Sequence, residues 1–215
     1  PTTATRTLTF EDFATAADSK LKITAGDHAI NDGMVVLSEA SSAVNNVEVF
    51  AFDVEIEGSD VVRVDDFSIE ATTTGANNFD EIADAIALYV DGEEVKSVSV
   101  PANEDTILFD DLDLDLEPGD YEFVFKADLL AVSGDLDDGD TFSFAIGETE
   151  TNLSTTDIDD AQGEALSNAN ITGSVTSSVS AVNSVAIEVV LIDQDRELLA
   201  DGNGGDDDDS ITFTF

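Results

Sequence analysis

Apolar and polar residues alternate along most of this chain. At 50–57 (Phe-Ala-Phe-Asp-Val-Glu-Ile-Glu) apolar and acidic residues take opposite faces, and the same period of two recurs at 121–128 and 141–146. Successive side chains of a β-strand point to opposite faces, so each segment can pack one face on a core and expose the other. The pattern predicts antiparallel strands with one solvated face. The alternating Asp and Leu of residues 111–116 likewise predict a strand that buries its leucines and exposes its aspartates. Only residues 78–85 suggest a short helical turn.

Turn sequences separate the predicted strands. Asp91-Gly92 lies between two apolar runs and predicts a tight β-hairpin, and glycine-containing turns at 58–60, 117–120 and 138–140 divide other runs. Many short strands at such spacing are typical of a β-sandwich. The predicted fold class is all-β, an Ig-like antiparallel β-sandwich with additional terminal strands.

The pattern also predicts a domain organisation. Residues 1–30 form an N-terminal strand region that could donate a strand, and residues 31–147 form the Ig-like sandwich. Residues 148–215 are a Ser/Thr/Asp-rich connector with C-terminal strands, which could belong to a second, incomplete sandwich. Hydrophobic residues make up 42% of the chain, enough to bury a core.

Both ends of the chain carry a strand pattern with one apolar face. The predicted assembly strands are marked by Arg6, Leu8, Phe10, Ile211, Phe213 and Phe215. An unpaired edge strand is a template for another chain, and a donated strand gains main-chain hydrogen bonds and side-chain register. A contact of this kind that does not close produces a filament. Two alternatives stay open: both strands pair inside their own domain, or residues 211–215 begin a further domain.

The charge balance is strongly acidic. Asp and Glu number 49 against 7 Lys and Arg, a formal net charge of −42. Self-repulsion at this density destabilises a compact state, so we expect bound divalent cations, high external salt or both. Nucleic acid is excluded as a partner because no basic patch exists. No apolar run has transmembrane length, so we expect no direct membrane insertion. There is no cysteine, and the start at Pro1 suggests processing after secretion, hence an extracellular or cell-surface location.

Calcium is the cofactor that the acidic clusters favour, since it binds six to eight carboxylate and carbonyl oxygens in flexible geometry. No cluster matches an EF-hand, and the alternative is a solvated acidic face. No organic cofactor is expected. The candidate ligands are Asp135, Asp137, Asp138, Asp140, Asp193, Asp195, Asp201, Asn203, Asp206, Asp207 and Asp208.

Catalytic motifs are missing from the sequence, which predicts a non-enzymatic protein. The single histidine, His28, lies in a predicted loop, where we interpret it as a surface residue. Nucleophilic catalysis needs a base beside its nucleophile, and no Gly-x-Ser-x-Gly or His-Glu-x-x-His pattern occurs. Asn152 and Asn170 begin N-glycosylation sequons, which arise often by chance.

Several short motifs resemble an Ig-like module of bacterial cell-surface and surface-layer-type proteins. They are Leu-Tyr-x-Asp-Gly at 88–92, Pro-Gly-Asp-Tyr at 118–121, Lys-Ala-Asp at 126–128 and Gly-Asp-Thr-Phe at 139–142. The resemblance covers roughly residues 45–147. It implies a β-sandwich and a role at the cell surface or in a filament, and it transfers no functional residue.

Together these features predict a secreted structural subunit of an extracellular filament (pilus-like) or surface layer. Its main partner would be itself, as a homopolymer joined by strand exchange and stabilised by cations. The alternatives are a calcium-dependent adhesin or ligand-binding module that recognises cell-surface glycans or proteins, and a viral decoration protein.

Overall fold

The computed structural model describes residues 19–33, 35–37, 42–132, 136–147, 158–184, 193–197 and 210–214. These residues form strands and three short 3₁₀ helices (Ala29–Asp32, Phe79–Glu81 and Asn168–Asn170). The strands are β1 (Lys20–Thr24), β2 (Val35–Leu37), β3 (Val44–Glu57), β4 (Val62–Val64), β5 (Phe67–Thr74), β6 (Ala83–Val90), β7 (Glu93–Ser99), β8 (Thr106–Phe109), β9 (Leu114–Leu116), β10 (Gly119–Leu129), β11 (Thr141–Gly147), β12 (Ile158–Asp160), β13 (Ile171–Thr172), β14 (Ser174–Thr176), β15 (Ser180–Asn183), β16 (Asp193–Glu197) and β17 (Ser210–Thr214).

Two large sheets make up the body of residues 1–184. The first has the order β13-β1-β3-β10-β6-β7, with only the β13-β1 pair parallel. The second has the order β2-β15-β11-β5-β8, and β14 also pairs with β11. The longest strands, β3 and β10, lie side by side in the first sheet, where Phe52 is paired with Phe123. The alternation at 50–57, 121–128 and 141–146 therefore predicts β3, β10 and β11 correctly.

The inner faces of the two sheets meet in a core rich in phenylalanine. The rings of Phe50 and Phe144 lie 5.7 Å apart across the sheets, and those of Phe109 and Phe125 lie 5.4 Å apart. All four side chains are fully buried. Ring pairs at this separation contribute about 0.5–1.5 kcal/mol each beyond their burial. The all-β sandwich predicted from the sequence is confirmed.

A small third sheet, β12-β4-β9, packs on the same core through Val62, Val64, Leu116 and Ile158. Its strand β9 is shorter than the alternation at 111–116 suggests. Asp111 and Asp113 have φ angles of 50° and 47°, a left-handed conformation that lies outside the range of a regular β-strand. The interpretation of 111–116 as one continuous strand was therefore wrong, and only residues 114–116 pair.

The predicted hairpin and helical turn are both present. Asp91 and Gly92 have φ angles of 50° and 83° between β6 and β7, the two positive values that a type I′ turn requires. The 3₁₀ helix Phe79–Glu81 falls within the predicted helical stretch.

The sheets draw on the chain beyond residues 31–147. β1 pairs with β3 along its whole length, and β13, β14 and β15 pair with strands of the two large sheets. Residues 185–215 form a separate compact unit, in which β16 and β17 pair in antiparallel fashion from Asp193↔Thr214 to Glu197↔Ser210.

Candidate functional site

The segment 25–33 crosses from the first large sheet to the second and closes that side of the sandwich, which we call the crossing flank. β1 stops at Thr24, so β3 has no strand partner from β1 at Ala51. The Asn31 amide takes that place: its Nδ2–H donates to the Ala51 carbonyl (2.6 Å), and its Oδ1 accepts the Ala51 N–H (3.3 Å). Ile30 packs on Ala51 and Val124 beneath the segment. The Asn31 side chain thus provides hydrogen bonds for the backbone N–H and C=O of Ala51 at the buried edge of β3.

His28 belongs to this crossing flank, and its interpretation as a surface residue was wrong. Its side chain is only 11% exposed. The ring nitrogens Nε2 and Nδ1 lie 2.8 Å from Asp53 Oδ1 and 3.5 Å from Glu122 Oε1. Asp53 and Glu122 are directly opposite on β3 and β10, where like charges destabilise a sheet. The imidazole lies between them, and Gly26 (φ 61°) leaves the room it needs, since a Cβ there would lie 2.6 Å from Nε2.

The opposite side of the sandwich, which we call the open flank, has two free strand edges. β7 ends the first large sheet and β9 ends the small sheet, so each has a strand partner on one side only among the described strands. A groove of about 330 Å³ lies between them. Free backbone N–H and C=O groups on both walls of a groove are the groups that an added strand would bind.

The floor of this groove is apolar. Val95, Leu114 and Tyr121 are half-buried, and they pack against the main core beside the buried Val90 and Leu116. The Tyr121 hydroxyl donates to a backbone carbonyl 2.9 Å away, which fixes the ring along the floor. The groove therefore offers apolar surface that the described part of the chain leaves partly open to solvent.

The rim of the groove is acidic. Asp91, Glu93 and Asp115 are exposed along it. Asp115 is paired with Arg63 (Nε–Oδ1 2.9 Å), and this pair raises the pKa of the Arg63 guanidinium. Neither Asp91 nor Glu93 has a lysine or arginine partner within the described ranges. The Oδ1 of Asp91 accepts the Glu122 N–H (2.9 Å), so this carboxylate is held in place on the rim.

The predicted calcium ligands at 137–140 are drawn into backbone hydrogen bonds. The Oδ2 of Asp140, a buried residue, accepts the Asp137 N–H at 2.8 Å. The two Asp138 oxygens accept the N–H and the hydroxyl of Ser184. Within the described ranges, no three His, Asp or Glu side chains converge where they could hold a metal ion.

The same use of carboxylates recurs across the molecule and was missed in the sequence. Backbone N–H groups of loops, turns and strands donate to the side chains of Asp66, Asp80, Glu81, Asp91, Asp128, Asp138, Asp140 and Asp160. Asp is frequent at such positions because its short side chain reaches nearby backbone groups. Glu81, Asp140 and Asp160 thus hold their own turns, and the other five carboxylates join segments that are distant in sequence.

The other predicted site residues are distributed as follows. Asp193 and Asp195 lie in β16, and Ile211 and Phe213 lie in β17. Asn170 ends the 3₁₀ helix Asn168–Asn170 and is half-buried. The predictions outside the described residues are Arg6, Leu8, Phe10, Asp135, Asn152, Asp201, Asn203, Asp206, Asp207, Asp208 and Phe215.

A second, polar cleft of about 150 Å³ lies on the outer face of the first large sheet. Lys126 Nζ lies 4.4 Å from the centre of the Tyr89 ring, and the Tyr89 hydroxyl donates to Glu94 Oε2 at 3.0 Å. That hydrogen bond raises the pKa of Tyr89. The cleft is smaller than the roughly 300–1,000 Å³ typical of ligand pockets, and its polar groups bind one another.

Comparison with protein-family models and with curated protein sequences finds no match to this chain. No helix in the described ranges is long and apolar enough to cross a membrane.

Proposed function

We propose that this protein is a secreted structural subunit of an extracellular filament or surface layer, and that the groove of the open flank receives a strand from a neighbouring subunit. The observation that carries the proposal is the pair of edges, β7 and β9, that no other described strand covers, on either side of an apolar floor. Strand addition to exposed edges is an established recognition mode, in which backbone bonds give affinity and side-chain pockets give register.

The surrounding chemistry supports this function over a ligand-binding module. Soluble proteins usually protect free edges by pairing, covering or charging them, as Asn31 does on the crossing flank. The open flank has charge on its rim but leaves the apolar floor accessible. The net charge of −42 keeps such a subunit soluble, and bound or ambient cations would screen the repulsion between subunits once they assemble.

Two groove variants test the proposal. Val95→Asp and Leu114→Asp each place a charge on the floor, where an added strand would have to bury it. Both side chains are half-buried, so we expect each variant to fold but to stay monomeric, by light scattering and negative-stain microscopy, where wild type forms filaments or sheets. The matched control is Val179→Asp, because Val179 is 62% exposed and lies outside the groove.

Two results would contradict the proposal. Wild-type protein that stays monomeric at high concentration, in calcium and in molar salt, has no assembly function of this kind. Assembly that is equal in wild type, the groove variants and the control would place the contact elsewhere. A folded monomer that binds a glycan or a cell-surface protein would instead favour an adhesin.

A further inference from the structure

We infer that the strand received by this groove is residues 5–10 of a second copy of the chain, with Leu8 and Phe10 on the apolar floor and Arg6 against the acidic rim. This inference rests on the proposed function, because it names the partner of the same site. The small number of Lys and Arg residues in the chain, the alternation within residues 5–10 and the apolar floor and acidic rim of the groove support it.

Positive charge is scarce in this protein, and most of it is already in use. Of the seven Lys and Arg, five make contacts in the described part of the chain. The four ion pairs are Lys20–Glu57, Lys22–Glu55, Arg63–Asp115 and Lys96–Asp110, and Lys126 lies over the Tyr89 ring. The other two cations, Arg6 and Arg196, are therefore the candidates to complement Asp91 and Glu93.

The sequences around these two arginines differ in charge and in β-propensity. Arg196 belongs to β16, which is already paired with β17, and its neighbours Asp195 and Glu197 would be repelled by an acidic rim. Arg6 lies in Thr-Arg-Thr-Leu-Thr-Phe, which has no acidic residue and three β-branched threonines. Residues 5–10 thus match the groove in charge and have high β-propensity.

The alternation within residues 5–10 matches the groove's chemistry. In an extended strand, Arg6, Leu8 and Phe10 share one face at intervals of roughly 7 Å. A strand lying between β7 and β9 would place Leu8 and Phe10 over the half-buried Val95 and Leu114. Arg6, at one end of the same face, would then reach the rim, where charge complementarity fixes direction and register.

We infer that the donated strand comes from a second copy of the chain and not from the chain that carries the groove. In the first large sheet, β3, β10 and β6 separate β1 from β7, a distance of roughly 19 Å at about 4.8 Å per strand. Residues 11–18 extend to at most about 26 Å, so chain length alone does not exclude an intramolecular strand. Three of those eight residues (Glu11, Asp12 and Asp18) are acidic and would have to pass the exposed carboxylates at that end of the sheet.

Disulfide cross-linking tests the inference cleanly because the chain has no cysteine. Leu8→Cys or Phe10→Cys protein is mixed with Val95→Cys or Leu114→Cys protein of a different mass under mild oxidation. A disulfide needs Cα atoms within about 7 Å. We expect at least one of the four pairs to give a heterodimer, and a Val179→Cys partner to give none.

Each of the other outcomes overturns either the assignment of residues 5–10 as the donor strand, or that assignment together with the proposed function. A disulfide formed only within one chain, when both cysteines are in the same molecule, means that residues 5–10 fill their own groove and overturns the inference. Absence of every cross-link while wild type still assembles overturns the donor assignment and leaves the proposed function standing. Absence of assembly in wild type and in all variants overturns both.

A charge-reversal pair provides an independent readout. Arg6→Glu should raise the concentration for half-maximal assembly by roughly three- to tenfold, the range expected when an exposed ion pair becomes a repulsive one. Combining it with Glu93→Lys should restore assembly at the wild-type concentration. If Arg6→Glu has no effect, or if Glu93→Lys does not restore assembly, Arg6 does not lie at this rim.

Discussion

The crossing flank and the open flank of this sandwich treat their strand edges in opposite ways. On the crossing flank β3 outruns β1, and the Asn31 amide supplies the two hydrogen bonds that a longer β1 would have made to Ala51. On the open flank, the free edges of β7 and β9 face a groove whose floor is half-exposed.

This difference shows that the fold can cover a strand edge with only a few residues. One 3₁₀ turn and one amide side chain are enough to close the crossing flank. The open flank has no comparable cover in the described part of the chain. We therefore interpret the open flank as a surface prepared for a partner.

The largest loss of stability is expected from a substitution of Phe125, which lies in the core that both flanks share. Its ring is fully buried and lies 5.4–6.1 Å from those of Phe50, Phe52, Phe67 and Phe109. Phe125→Ala should lower the free energy of unfolding by about 3–5 kcal/mol in chemical denaturation. Hydrogen exchange should accelerate on both flanks together. Faster exchange on one flank alone would mean that the flanks unfold separately.

Asn31→Ala should expose the strand edge on the crossing flank and cause the second largest loss of stability. It leaves the buried N–H and C=O of Ala51 without their partner, at about 1–3 kcal/mol for each orphaned group. Denaturation should report this loss, and hydrogen exchange should accelerate first at Ala51. Asn45→Ala, at an exposed position of β3, is the control. An equal effect of the two substitutions would show that the amide bonds do not close the edge.

Calcium should stabilise the protein more than sodium at equal ionic strength. A bound ion adds stability by mass action, about 1.4 kcal/mol at ten times its dissociation constant. Thermal melts in calcium and in sodium chloride separate this from screening, since screening acts equally in both salts. Equal shifts in the melting temperature would leave the acidic surface with no specific ion site.

The smallest effect is expected at Glu81, which fastens the β5–β6 connection by accepting hydrogen bonds from the side chain and the N–H of Asn77. These bonds hold the pKa of Glu81 below its ordinary value of 4.5. A depressed folded pKa contributes stability that is present above the unfolded pKa and is lost as pH falls through the folded one. Melts between pH 7 and 3 should show the difference between wild type and Glu81→Gln shrinking with acidity. A difference independent of pH would contradict this assignment.

The sequence predicted the local features of the fold well, because they depend on neighbouring residues. Period-two alternation identified β3, β10 and β11, and Asp91-Gly92 identified the β6–β7 hairpin. The same alternation failed at 111–116, since a pattern of Leu and Asp does not reveal the left-handed φ angles of Asp111 and Asp113.

The candidate site was hidden for a different reason. The groove joins β7, β9 and the start of β10, and only the pairing of distant strands shows that their edges face one another. The burial of His28 between Asp53 and Glu122 depends likewise on the β3–β10 register. The turn-fastening role of Asp160 was open to prediction, because its side chain precedes a glycine-containing turn, whereas the bond from Asp91 to the Glu122 N–H of β10 depends on distant pairing.

A comparison of three proteins decides whether the open flank receives a strand from another subunit, as we propose. Wild type, Val95→Asp and Val179→Asp are examined side by side by negative-stain microscopy and light scattering, after thermal melts confirm that all three are folded. We expect ordered assemblies of wild type and Val179→Asp, and folded monomers of Val95→Asp. If Val95→Asp forms assemblies that match those of wild type, the groove does not receive a strand.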